Sequence, residues 1–230
     1  AKQLLWIDAL ITIAVSLLVI VGHRLILNLF FGRIEEDVMR NAIIYLMISA
    51  LSFPFLAVYN ASAALFRSMG NSKITLIVSS LLIIFNVGGN AICVFGLKMR
   101  VAGVAVPSLG SRAVAGLCLY ILLRNPDNLI YLAKERFRFD WKVVRKILYI
   151  GIPSGIENGI FQLGRVIVVS IIAGFGTAQI AANGVANSLD SMGCIIGQGM
   201  NLAMITVIGQ CVGAGDLAQV KYYTKKLLLI

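Results

Sequence analysis

VIGQCVGAGDLAQVKYYTKK, residues Val207 to Lys226, changes character at its middle. Val207–Ala214 is apolar or small apart from Gln210, whereas Asp216, Lys221, Lys225 and Lys226 follow within a dozen positions. Three chemistries could use the Gly213-Ala214-Gly215-Asp216 junction. A GxGD aspartyl protease would keep the motif inside an apolar helix, and LAQVKYYTKK cannot continue one. A phosphate loop needs a preceding strand with a GK[ST] or GxGxxG pattern, and neither is present. The remaining reading fits: Gly213 or Gly215 ends a buried helix by taking φ > 0. Asp216 then caps a short amphipathic turn. The stretch is an elbow at a membrane face, and that decides the fold class.

Working outward, 59% of the 230 residues are hydrophobic and only 13% are charged, against about half and a quarter in soluble domains. A net charge of +10 on a soluble protein would suggest nucleic acid, but here the cations cluster in short segments between long apolar runs. No nucleic-acid partner is expected. Cys93, Cys118, Cys194 and Cys211 form no CxxC and His23 is the only histidine, so no metal site is expected and the thiols read as small buried residues.

Six runs reach the about 20 apolar residues that a bilayer requires: Leu4–Phe31, Ala42–Phe66, Ile74–Leu97, Val101–Leu123, Ile147–Phe175 and Ala178–Ile208. All are expected as helices, since a lipid-exposed backbone must satisfy its own hydrogen bonds. With Lys2 inside, the inner loops hold Lys2, Arg67, Lys73, Arg124, Lys134, Arg136, Arg138, Lys142, Arg145, Lys146, Lys221, Lys225 and Lys226. The outer loops hold only Arg24, Arg33, Arg40, Lys98 and Arg100, which makes the first set cytoplasmic. Leu227–Ile230 reads as the start of another apolar segment, and the chain as a piece of a longer protein.

The connection RNPDNLIYLAKERFRFDWKVVRK (124–146) mixes basic and aromatic residues, as interfacial segments do. It reads as a basic cytoplasmic linker, partly a membrane-surface helix, with Asp140 as the N-cap of the following helix. It divides the chain into residues 1–123, 124–146 and 147–230.

Polar residues inside the spans are the candidates for function. Asn183, Asn187, Asp190, Cys194 and Asn201 recur at helical spacing on one stripe, and Asn86, Asn90 and Cys93 do so in the third span. Such amides serve either as interhelical glue, worth roughly 0.6 kcal/mol each, or as the wall of a wet cavity. A charge at mid-bilayer costs about 2.5–3.5 kcal/mol, so Glu157, Arg165, Arg112 and Asp190 need a partner or a role. Glu157 and Asp190 are candidate ion-coupling groups, with Gln162 beside them. Arg165 and Arg112 are candidate ion-pair partners, Glu157 with Arg165 and Arg112 with Asp190. Pro107 and Pro153 read equally as hinges or as local packing, since proline removes a helix hydrogen bond.

The elbow also carries a likeness. GQCVGAGDLAQVKYYTKK (209–226) resembles the GQxxGAG(D/N/K) signature of the multidrug and toxic compound extrusion (MATE) family. LFRSMGNSK (65–73) is similar to its loop between the fourth and fifth spans, and VAGVAVPSLGSR (101–112) to the start of its sixth. GIPSGIENGIFQLGRVIVVSIIAGFGTAQIAANGVANSL (151–189) resembles the opening of its second half. The resemblance implies six transmembrane helices of an all-α, twelve-helix, two-lobe polytopic transporter. Residues 1–123 would be the last four spans of the N-lobe, and 147–230 the first two of the C-lobe with the start of the next.

It further implies a transporter and not an enzyme: an antiporter driven by H⁺ or Na⁺, exporting organic, often cationic, compounds by alternating access. No cofactor is implied beyond the coupling ion. The expected partners are small organic cations and the lipid bilayer, and the expected state is a monomer in a bacterial cytoplasmic membrane. In some members a glutamate of the seventh span takes part in coupling, but it lies farther from the proline than Glu157 does from Pro153. The matching position is Phe161, which leaves the coupling ion open. A lipid-linked oligosaccharide flippase of the same superfamily is the alternative, with Arg112 and Arg165 as possible pyrophosphate contacts.

Overall fold

The structure, a computed structural model, describes residues 2–31, 36–126, 128, 130, 132 and 139–229. Its helices in chain order are α1 (Lys2–Phe31), α2 (Glu36–Ser68), α3 (Ser72–Ala91), α4 (Ala102–Leu122), α5 (Trp141–Ala173), α6 (Thr177–Gly213) and α7 (Leu217–Leu228). A π-turn over Ile92–Gly96 prolongs α3. No strand occurs among the described residues. The first six helices are each long and apolar enough to cross a membrane, as the hydropathy pattern required. The chain is an all-α, multi-pass membrane protein. At 33 and 37 residues, α5 and α6 extend over roughly 50 and 55 Å, more than the about 30 Å of hydrocarbon.

The elbow is built as a six-residue helix stop. The amide of Asp216 donates to Cys211 O at 3.2 Å and that of Gly215 to Val212 O at 3.1 Å. This closure requires a left-handed residue, and Gly215 takes it at φ 76° while Gly213 stays helical. Asp216 Oδ1 then accepts from the amides of Ala218 and Gln219, both at 3.0 Å. This cap opens the twelve-residue helix α7, longer than the expected single turn. The end of α2 repeats the same stop, with Gly70 at φ 76° and Asn71 N donating to Phe66 O at 3.0 Å.

Asp140 caps α5 as expected, Oδ1 accepting from Lys142 N at 2.9 Å. The cap starts α5 at Trp141, so residues 141–146 at the end of the linker are continuous with α5. Its described part runs off α4 through turns, and Leu132 N returns to donate to Leu123 O at 2.9 Å. Residues 133–138, including Lys134, Arg136 and Arg138, lie outside the described residues, as does Arg33.

Helices α1 to α4 form a bundle with α2 against both α1 and α4, and α3 against α4. Small residues make this possible. Ala50, Ser52, Ala57, Ala61, Ser62 and Ala63 are buried on α2, and Gly103, Ala105, Ser111, Ala115 and Gly116 on α4. They let backbones approach closely where lipid supplies no hydrophobic drive between helices. A Cβ on Gly116 would stand 2.8 Å from the carbonyl oxygen of Phe55. Larger apolar side chains, Leu5, Leu65, Phe66, Leu119 and Leu123, fill the core at the end where α1 and α3 begin and α2 and α4 stop. That end carries most of the described cations and forms the basic face of the protein.

Helices α5 and α6 contrast with this. They touch each other, α5 meets α1, and α6 meets α2 and α7. Only Val144 on α5 and Cys211 on α6 are buried. Cys118 and Cys194 are exposed, which corrects the expectation of four buried thiols. A thiol behaves as a small apolar group and faces lipid at little cost.

Candidate functional site

Two sets of polar side chains sit within the spans, and their surroundings differ. In the α1–α4 bundle the amides find partners on a neighbouring helix or one turn away. Asn86 Nδ2 donates to Ser108 Oγ at 3.0 Å and to Ser111 Oγ at 3.3 Å, and Asn90 Nδ2 donates to Asn86 Oδ1 at 3.0 Å. Asn86 is thus the link between α3 and α4, while Asn90 bonds within α3 and its buried Oδ1 has no partner among the described residues. Ser16 Oγ donates to Ala50 O at 2.7 Å and ties α1 to α2 in the same way.

Arg112 belongs to this set as well. Its Nη1 donates to Ser52 Oγ at 2.6 Å, and Ser52 Oγ donates to Ser49 O at 2.7 Å. The expected Arg112–Asp190 ion pair does not form, because α4 packs on α2 and α3 and does not reach α6. The Glu157–Arg165 pair is absent too. Eight helical residues separate the two by about 12 Å along the axis. Arg165 Nη2 instead reaches across to Asn187 Oδ1 at 3.4 Å.

That contact spans a groove of about 390 Å³ between α5 and α6, lined by Phe161, Gly164, Arg165, Val168, Asn183 and Asn187. The structure therefore brings Arg165, Asn183 and Asn187 together, with Phe161 beside them. Glu157 and Asp190 stand near mid-length of α5 and α6, exposed, with no ion pair or hydrogen bond among the described residues. Gln162 and Asn201 are likewise exposed. Helices α4 and α5 run unbroken through Pro107 and Pro153. Pro107 is packed, since a Cβ on Gly89 of α3 would stand 2.8 Å from its own Cβ, whereas Pro153 and its neighbours Gly151 and Gly155 face open space.

Sequence periodicity alone did not single out Asp8. It is half-buried in α1, with Thr12 and Ser16 following at steps of four, and Thr12 Oγ1 donates to its carbonyl oxygen. A single carboxylate inside an apolar run was the available signal, of the same kind that marks Glu157.

Comparison with known proteins agrees with this architecture. The MatE family model matches residues 1–92 and 153–230. The chain is 26% identical over 194 residues to "Probable multidrug resistance protein NorM" of Thermotoga maritima, covering 81% of this chain and 41% of that protein. It is 26% identical over 185 residues to "Uncharacterized transporter YisQ" of Bacillus subtilis, covering 78% and 40%. With "Multidrug export protein MepA" of Staphylococcus saprophyticus the identity is 23% over 182 residues, covering 79% and 38%. The chain spans about two fifths of the length of these curated relatives. No solved structure matches it. The family match over most of the chain, on six apolar helices and a glycine-closed elbow, identifies this protein as a member of the MatE family.

Proposed function

We propose that the chain works as part of a cation-coupled exporter of organic, often cationic, compounds, with H⁺ or Na⁺ as the coupling ion and no other cofactor. The observation that carries the reading is the pair of unpartnered carboxylates, Glu157 and Asp190, at mid-length of two membrane-spanning helices. Facing lipid they would be costly, so the faces that hold them line water or protein. A carboxylate held there can exchange a proton or a sodium ion as the surrounding water changes. Asn183, Asn187 and Asn201 on α6 and Gln162 on α5 supply uncharged polar contacts around such a path. Bacterial relatives named as multidrug resistance or export proteins support the same reading.

In this reading the working unit is a monomer in a bacterial cytoplasmic membrane, the basic face is cytoplasmic, and the protein is not an enzyme. Alternating access would bend α5 at Pro153, where no neighbour restrains the helix, sooner than α4 at the packed Pro107. The test is gradient-dependent ethidium efflux from cells expressing the full-length protein that carries this chain, wild type beside Glu157→Gln. Efflux lost in the variant at equal membrane abundance supports coupling through Glu157. Unchanged efflux removes Glu157 from the mechanism.

A lipid-linked oligosaccharide flippase is the second reading, and Arg165 in the α5–α6 groove is the observation that favours it. Arg112 lends it no support, being held by Ser52 inside the bundle. Absence of efflux across several cationic dyes in wild type would favour this reading.

A further inference from the structure

Two of the motifs, LFRSMGNSK and GQCVGAGD, lie far apart in the chain and meet in space. Gln210 Nε2 donates to Ser68 O at 3.0 Å across 142 residues. The carbonyl it chooses has a reason. The stop at the end of α2 uses Leu65 O for Met69 N, Phe66 O for Asn71 N and Arg67 O for Gly70 N. Ser68 O is left over, an acceptor at a helix end that needs a donor. Gln210 supplies it from the last turn of α6, and a Cβ on Gly70 would come within 3.8 Å of the same Nε2. Beside the bond lies a cavity of about 580 Å³ at the basic face. Its walls come from α2 (Arg67), the linker (Ile130) and α6 (Leu202, Ile205, Thr206). Ile130 is tied to the same turn, its amide donating to Met69 Sδ at 3.2 Å.

We propose that Gln210 is a latch that holds the basic-face end of the seam between the α1–α4 bundle and the α5–α6 pair closed. The bond is exposed, single and between rigid helix ends, so it can break and remake without unfolding either helix. Release would let α6 leave α2 and widen the cavity, where Leu202 and Ile205 are already exposed and Thr206 is partly covered. The latch rests on the exporter reading only where efflux is measured.

The test uses the full-length protein with its native cysteines replaced and Thr206→Cys as reporter in the cavity. Inside-out vesicles are treated with a membrane-impermeant maleimide. Gln210→Leu removes the donor and is expected to raise labelling about five-fold, the factor that one hydrogen bond supplies. Acidification slows maleimide attack in every variant by depleting the thiolate, so each rate is compared with Gln210→Leu at the same pH: Gln210→Glu matches Gln210→Leu while ionised and labels more slowly than it once the protonated carboxyl can donate to Ser68 O. Unchanged labelling in Gln210→Leu overturns the latch. Labelling of Gln210→Glu equal to that of Gln210→Leu at both pH values overturns the hydrogen bond as its cause.

Should Gln210→Leu fail to insert, Ser68→Cys with Gln210→Cys decides by cross-linking. A cross-link that stops efflux and is released by reductant supports the latch. No cross-link, or a cross-link with efflux running, overturns it. The labelling arm requires no transport, so its result stands whether or not the exporter reading does.

Discussion

The α1–α4 bundle and the α5–α6 pair carry the same sequence signal and give it different meanings. Both place polar side chains at helical spacing inside apolar spans. In the bundle, Asn86, Asn90, Arg112 and Ser16 each find a partner on another helix or one turn away. In the pair, Arg165 and Asn187 meet, while Glu157, Gln162, Asp190 and Asn201 meet nothing among the described residues. A polar stripe is therefore glue where small residues have drawn a second helix against it. Where no helix has closed over it, the same stripe is free to serve a pathway.

The comparison breaks most readily at the glycine that permits the close packing. Gly116→Leu sets a Cβ against the Phe55 carbonyl, a backbone atom that cannot step aside. It is expected to cost about 3 kcal/mol or more, read as a large drop in resistance to SDS unfolding. Wild-type resistance would mean that α2 and α4 do not pack as described.

Asn86→Ala removes three hydrogen bonds between and along α3 and α4. At membrane values of roughly 0.6 kcal/mol each, about 1–2 kcal/mol should be lost. The same assay reads it, and an unaltered protein would show that the stripe is not glue. Asp216→Ala takes away the two cap bonds of α7 and should cost about 1 kcal/mol, confined to that helix. Faster amide exchange over 217–228, with the spans unaffected, is the expected signature.

The smallest stability effect sharpens the contrast. Glu157→Gln and Asp190→Asn have no partner to lose and should shift SDS unfolding by less than about 0.5 kcal/mol. A marked loss of stability in either would mean that these carboxylates are structural, as the bundle's polar groups are.

Much of the molecule is legible in the residues themselves. The six spans, the cap at Asp140 and the glycine stop before Asp216 depend on neighbours within a few positions, so local sequence is enough to place all three. The expected ion pairs are not legible in this way. Helical spacing shows that Glu157 and Arg165 share a face, but a shared face eight residues long is too far for a contact. Arg112 and Asp190 are matched by charge alone, and their helices never meet. Asp8 is visible as a lone acid, and only its half-burial distinguishes it from the exposed carboxylates of α5 and α6.

By itself the sequence determined that the protein lies in a membrane, which segments cross it and where α5 is capped and α6 is stopped, while the start of α2 and the length of α7 were not read from it. Those properties follow from local hydropathy, capping and the requirement that a backbone in lipid bond to itself. Only the tertiary structure decided which polar groups are partnered. The partners stand 22 residues away for Asn86 and Ser108, 60 for Arg112 and Ser52, and 142 for Gln210 and Ser68. Periodicity says which residues share a face; what covers that face is set by how the helices assemble.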